Sequence, residues 1–229
     1  MKLYELCGEN RQVCFGPYVW RTKYFLAHKG LSYETVPLRF VEKSQIDGEG
    51  AQRFPTLEDG GKLVGDSFEI AQYLDEAYPE NKIFGSEAEL AQAHSLQASI
   101  NSIVLFGIFT CVAVDVWKQL DEASQTYFRE TREKAVGQSL EDFVSGRETR
   151  VEDFRKQLDF LRAPLTSFPY LSGNQPGWLD YTLMGTFMWA HTVSDFQLLE
   201  ESDPLYQWRE RMLDLWDDKF RNVPRAVAQ

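Results

Sequence analysis

Cysteine and histidine are scarce in this sequence, with three of each among 229 residues. Cys7, Cys14 and Cys111 form no C-x-x-C pair, and an odd, low count gives no disulfide framework. His28, His94 and His191 are scattered, so metal-ligand spacing is missing and each reads as a packing or surface residue. Long apolar runs are missing too. The most apolar stretch, Ile103–Val114, contains Thr110 and falls short of the roughly 20 residues a membrane span needs, so it reads as a buried helix. The opening MKLYELCGEN has no apolar core of a secretory signal. A cytoplasmic protein without membrane partners is expected. Basic charge is short as well: 24 Lys and Arg stand against 35 Asp and Glu, a net charge of −11. That balance argues against nucleic acid and anionic membranes as partners. Neither repeats nor low-complexity tracts occur.

What is present centres on Phe54 to Tyr78, FPTLEDGGKLVGDSFEIAQYLDEAY. Thr56–Glu58 and Lys62–Val64 read as strands joined by Asp59-Gly60-Gly61, whose glycines supply the positive φ of a tight hairpin. Asp66 then starts a helix, three residues before Glu69, the spacing of a reciprocal N-terminal cap. Ile70, Ala71, Leu74 and Ala77 repeat at helical spacing, and Pro79 ends the run. A helix start offers free N–H groups and partial positive charge, suited to a carboxylate or phosphate. Ser67 adds a donor and Asp66 an acceptor for an ammonium group. A ligand end with both groups is an amino acid or a γ-glutamyl residue. The same residues also suit a capped helix that binds nothing.

Around that stretch, Lys2–Leu6 reads as a first strand, Pro17 to Lys29 as a helix stopped by Gly30, and Ser32–Val36 as a second strand. A helix between two strands implies parallel pairing. Arg39–Gln52 is polar and reads as a loop with a short helix, and Pro79–Ser86 as a linker. Beyond it, helical segments are predicted at Glu87–Leu120, Ala123–Ser145, Arg147–Arg162, Asp180–Thr192 and Pro204–Asp218. The expected fold is α/β plus all-α: a thioredoxin-like domain over residues 1–80, then an all-helical bundle over 87–229.

The central pattern, X-Pro-T-L-x-D-G…D-S-x-x-I-A-x-Y-L-D, resembles the glutathione-site segment of the glutathione transferase superfamily. The resemblance implies that glutathione is the cofactor. It also implies that Phe54 pairs its backbone with the cysteinyl part, that Pro55 is cis, and that Asp66 and Ser67 hold the γ-glutamyl end. Gly177-Trp178-Leu179-Asp180 fits the superfamily's Ser/Thr-x-x-Asp cap except that glycine replaces the hydroxyl residue. Pro17–Tyr24 with Ala27–Gly30, Gly146-Arg147-Glu148, Gly173–Pro176 and Asp203–Trp208 resemble the bacterial β-etherase branch and its fungal relatives. That likeness implies a small aromatic substrate, conjugation or aryl-ether cleavage, and a homodimer.

In that branch a serine precedes the first helix; here the position is Gly16. A hydrogen bond to a charged group contributes about 1.5–3 kcal/mol, or roughly 1–2 pKa units on the bound thiol. Three groups stand in for it: helix N–H groups near Tyr18, the Tyr18 hydroxyl, and Cys14 through a mixed disulfide. Gly16, Tyr18 and Cys14 are therefore the catalytic candidates. Tyr18, Phe106, Phe109 and Thr110, with Trp117, are candidate walls of the aromatic pocket. Three functions fit: an enzyme using glutathione, a binder of glutathione adducts or aromatics, or a protein using the fold alone. The Asp66-Ser67 pair counts against the last.

Overall fold

Strand β1 (Lys2–Leu6) occupies an inner position of a four-stranded sheet ordered β2-β1-β3-β4, and buries Leu3, Glu5 and Leu6 there. The computed structural model describes residues 1–46 and 53–226, so residues 47–52 of the expected Arg39–Gln52 loop and 227–229 of the expected helical domain lie outside the described residues. β1 runs parallel to β2 (Glu34–Leu38) and antiparallel to β3 (Thr56–Asp59). β4 (Lys62–Gly65) closes the other edge. Helix α1 (Pro17–His28) makes the crossover between β1 and β2. A 3₁₀ turn, Phe40–Gln45, follows β2.

Two local expectations shift. β2 starts at Glu34, not Ser32, because Lys2 takes Glu34 as its register partner. That brings Pro37 into the strand, which an edge position tolerates since one side of β2 has no ladder to feed. The hairpin turn is two residues, Gly60 and Gly61 at φ 57 and 87, because Asp59 still pairs with Lys62.

Helix α2 (Ser67–Ala77) completes the first layer. The linker behind it is held by charge. The Lys29 ammonium, almost fully buried, donates to Asp75 Oδ1 at 2.8 Å and to the carbonyls of Tyr78 and Glu80 at 2.6 and 2.8 Å. The N–H groups of Ile83 and Phe84 donate to the same carboxylate. His28 lies 2.9 Å from the Tyr181 hydroxyl and 3.1 Å from the Asn81 carbonyl, so it links α1, the linker and the helical layer.

From α3 (Glu87–Ile100) onward the named elements among the described residues are all helices. A π-helical turn, Asn101–Leu105, joins α3 to α4 (Phe106–Lys118). The run Glu87–Lys118 is 32 residues, long and apolar enough by length and composition to cross a membrane, unlike the short apolar segment read from sequence. Here Ile100, Val104, Ile108 and Val112 of that run pack into the core.

The two long helices expected next are each broken. α5 (Glu122–Val136) stops at Gly137, φ 75, and Ser139 caps α6 (Leu140–Val144) by accepting the Asp142 N–H. α7 (Arg147–Gln157) and α8 (Asp159–Leu165) part at the buried Leu158. α9 (Trp178–Val193) is the buried central helix. Asp180 accepts N–H groups from Leu171, Ser172 and Gly177 at 2.8–3.0 Å, and the Trp208 indole at 2.8 Å. α10 (Pro204–Leu213) ends before Asp214, and Trp216 and Asp217 then turn left-handed within Leu215–Asp218. The Trp216 ring thereby docks against Tyr24 and Tyr181.

α1 and α9 join the two layers, and they meet at Gly185. A Cβ there would stand 2.6 Å from the Pro17 carbonyl and 2.7 Å from Arg21 Cγ. Only glycine lets the helices approach so closely.

Candidate functional site

A cavity of about 460 Å³ opens between the layers. Gly16, Pro17 and Tyr18 from α1 and Phe54 from the loop before β3 form one wall. Asn101, Leu105, Phe106 and Phe109 from the π turn and α4, with Trp189 of α9, form the other. The π turn causes this placement: one extra residue per turn shifts the helix face that follows. Phe106 is 53% exposed at the rim. Phe109 lies deeper, stacked on Trp189 at 6.0 Å and against Phe143 at 5.1 Å.

The peptide between Phe54 and Pro55 is cis. The Pro55 carbonyl accepts the N–H of Asp66 at 3.2 Å. Asp66 sits at φ 76 as the N-cap of α2, and its Oδ1 accepts N–H groups from Phe68 at 2.8 Å and Glu69 at 3.4 Å. The cap is therefore one-way and not reciprocal, because the Asp66 N–H is already given to Pro55. It also takes two of the helix-start donors that the sequence left free. What remains is specific: the second carboxylate oxygen of Asp66, and the hydroxyl of the buried Ser67, neither with a protein partner among the described residues. One acceptor and one donor side by side suit an ammonium and a carboxylate on one carbon.

Gly16 caps α1 at φ −58 and ψ 122, ordinary backbone for any residue. The other catalytic candidates divide. Tyr18 lines the cavity. Cys14 does not: it is buried behind the wall, its thiol is near the Arg11 carbonyl, and burial pushes its pKa up. Thr110 is also off the cavity, and its hydroxyl donates back to the Gly107 carbonyl at 2.7 Å. Trp117 lines a different, polar cavity beside Arg147 and Gln125. Gly107 accepts no side chain, as a Cβ would meet the Phe154 ring at 2.3 Å.

Several site residues carried no sequence signal. Arg21 is fully buried under the cavity floor, with its guanidinium 4.6 Å from the Tyr18 ring. Desolvation pulls its pKa down to about 10. Its Nη2 donates to Asn101 Oδ1 at 2.6 Å, while Nε and Nη1 have no partner among the described residues. Because arginine only donates, it fixes the Asn101 carboxamide with oxygen inward, which leaves the NH₂ as a donor at the cavity wall. Lys43, Arg53 and Arg132 also line the cavity, and among the described residues no carboxylate does. These cations come from a loop, a 3₁₀ turn and α5, distant in sequence and unmarked by spacing.

Residues 12–82 match the family described as glutathione S-transferase, N-terminal domain, and residues 91–220 match glutathione S-transferase, C-terminal domain. The chain belongs to the glutathione S-transferase family, which binds glutathione. Among similar proteins, the glutathione S-transferase-like protein ustS of Aspergillus flavus is 29% identical over 178 residues, 72% of this chain. Glutathione S-transferase Z1 of Arabidopsis thaliana is 38% identical over 93 residues, 38% of this chain. These matches span 59% and 41% of the two relatives' own lengths. Among solved structures, glutathione transferase GSTFuA3 of Phanerochaete chrysosporium superposes with TM-score 0.73 at 28% identity, covering 97% of this chain and 93% of that one. The glutathione S-transferase CsGST63524 of Ceriporiopsis subvermispora, solved in complex with glutathione, superposes with TM-score 0.82 at 23% identity, covering 98% and 99%, and shows the shared fold.

Proposed function

We infer that this chain binds glutathione at the start of α2 and applies its thiol to an aromatic electrophile held between α1 and α4. The observation that carries the reading is the pair at Asp66 and Ser67. The free carboxylate oxygen takes the γ-glutamyl ammonium, and the serine hydroxyl donates to the neighbouring carboxylate. Phe54, before the cis peptide to Pro55, and Gly16 line one wall of the same cavity. Glutathione supplies a thiol, which as thiolate displaces a leaving group or cleaves an aryl ether. The chain's own contribution is to favour the ionised sulfur. The first N–H groups of α1, the Asn101 NH₂ and the buried Arg21 charge all act in that sense without a side chain at position 16. The exposed Phe106, the half-buried Phe109 and the buried Trp189 offer an apolar wall to an aromatic partner.

A specific observation favours a second reading, a weakly catalytic or non-catalytic binder of glutathione adducts or aromatic compounds. Gly16 has no hydroxyl, and the Cys14 thiol is buried away from the cavity. Calorimetry with glutathione tests the shared part. Asp66→Asn keeps the helix cap and removes the charge, and Ser67→Ala removes the donor. Each should weaken binding about 10- to 100-fold, as loss of one charge-assisted hydrogen bond does. Unchanged affinity in both would sink the assignment. Turnover of glutathione with a model aryl halide and a model aryl ether separates enzyme from binder, and conjugation from ether cleavage. A homodimer and cytoplasmic residence complete the proposal. Light scattering at micromolar concentration and a fluorescent fusion in cells check them.

A further inference from the structure

The charge of the cavity wall is opposite to that of the chain. The sequence carries net charge −11, yet Lys43, Arg53 and Arg132 line the cavity and, among the described residues, no aspartate or glutamate does. Lys43 and Arg53 flank Phe54 and stand where a carboxylate of glutathione itself can use them. Arg132 is different. It belongs to α5 in the helical layer and reaches over the aromatic half of the cavity. Its guanidinium lies 5.1 Å from the Phe128 ring and 5.7 Å from the Phe40 ring. Phe128 in turn packs edge-on against Phe109 at 6.3 Å. Among the described residues, the Arg132 side chain makes one hydrogen bond, from Nη1 to the Thr131 hydroxyl at 3.0 Å. No carboxylate among the described residues pairs with it, whereas its neighbour Arg129 on the same helix is pinned by Glu133 and Glu141.

We propose that Arg132 selects aromatic electrophiles that carry an anionic substituent, a carboxylate or a phenolate, for the cavity of this protein. The inference rests on the glutathione reading above and names the substrate class of that same site. A guanidinium held 5.1 and 5.7 Å from two ring centroids is kept against the aromatic wall, and its paired N–H groups suit a planar anion. An aromatic ring against Phe109 with an acidic group directed at α5 satisfies both surfaces at once. A neutral aromatic leaves the charge facing a half-filled apolar cavity.

The test uses three matched adducts, so that turnover is not needed: S-benzylglutathione, S-(4-carboxybenzyl)glutathione and its neutral isostere S-(4-carbamoylbenzyl)glutathione. Binding is measured by calorimetry on the wild type, Arg132→Gln and Arg132→Lys. The carboxylate adduct should bind the wild type about 10- to 100-fold more tightly than the amide. That ratio should fall to about one in Arg132→Gln and be partly kept in Arg132→Lys, whose ammonium has no fork. S-benzylglutathione should bind all three proteins alike, which shows the variants are folded. Equal affinity of acid and amide for the wild type overturns the proposal, and needs no variant at all. A preference that survives Arg132→Gln overturns the role of Arg132. Failure of every adduct to bind the wild type overturns the glutathione reading itself, and this inference with it.

Discussion

Placing serine at position 16 asks whether the missing hydroxyl limits the chemistry. The backbone permits it, since φ −58 and ψ 122 are open to any residue. The space is tighter. A Cβ at Gly16 would stand 2.9 Å from Val19 Cγ2 and 3.5 Å from Leu6 Cβ. Val19 is buried on α1, where a β-branched side chain has one strongly preferred rotamer, so its methyl cannot swing aside cheaply. Such overpacking costs about 1–3 kcal/mol. The gain on the sulfur is of similar size: about 1.5–3 kcal/mol, or roughly 1–2 pKa units. Gly16→Ser should therefore melt lower than wild type while lowering the pKa of bound glutathione. Gly16→Ser combined with Val19→Ala removes the offending methyl and should keep the pKa effect, with Val19→Ala alone as control. Thiolate absorbance of bound glutathione is titrated in each, with kcat/KM for a model electrophile alongside. If the double variant folds, binds glutathione and shifts neither quantity, the reasoning fails. The α1 N–H groups and the Asn101 amide would then already supply what the serine was meant to add.

Other outcomes follow from the packing. Lys29→Met leaves the buried Asp75 without its cation, and breaking such a pair costs about 3–5 kcal/mol, to be read from denaturant midpoints. A loss under about 1 kcal/mol would mean that the N–H groups of Ile83 and Phe84 suffice. Gly185→Ala should destabilise by about 1–3 kcal/mol, because the new methyl meets the Pro17 carbonyl and Arg21 rather than a movable side-chain end. A thermal melt matching wild type would contradict that close approach. His191 titrates low, at about 4, chiefly through burial and then through the nearby charge of Arg225 and Arg209. The unfolded chain thus holds the proton more tightly than the folded one, and stability is lost as pH falls from about 6.5 toward 4. His191→Gln should flatten the change in urea midpoint between pH 7 and pH 5, and an unaltered change would remove His191 as its source.

The sequence by itself determined the elements whose cause is local. Pro17 opens α1 and Gly60 and Gly61 turn the hairpin through the conformations these residues favour, and Asp66 starts α2 through its side-chain cap although its own φ of 76 is one aspartate does not favour. Asp180 also kept its place at the start of α9 although Gly177 carries no hydroxyl. Breaks marked by only one or two residues, Gly137 with Ser139 and the turn at Leu158, were hidden inside continuous helical periodicity. Tertiary structure decided the rest. Whether Cys14 or Tyr18 faces the cavity depends on which side of the wall each lies, and two residues four apart cannot show that. The close meeting of α1 and α9 at Gly185 joins chain segments that no local pattern connects. The cationic lining is the clearest case. Lys43, Arg53 and Arg132 look like scattered charges in an acidic sequence, because charge in one dimension averages over neighbours. Only folding gathers the three cations on one cavity and leaves the described acids elsewhere.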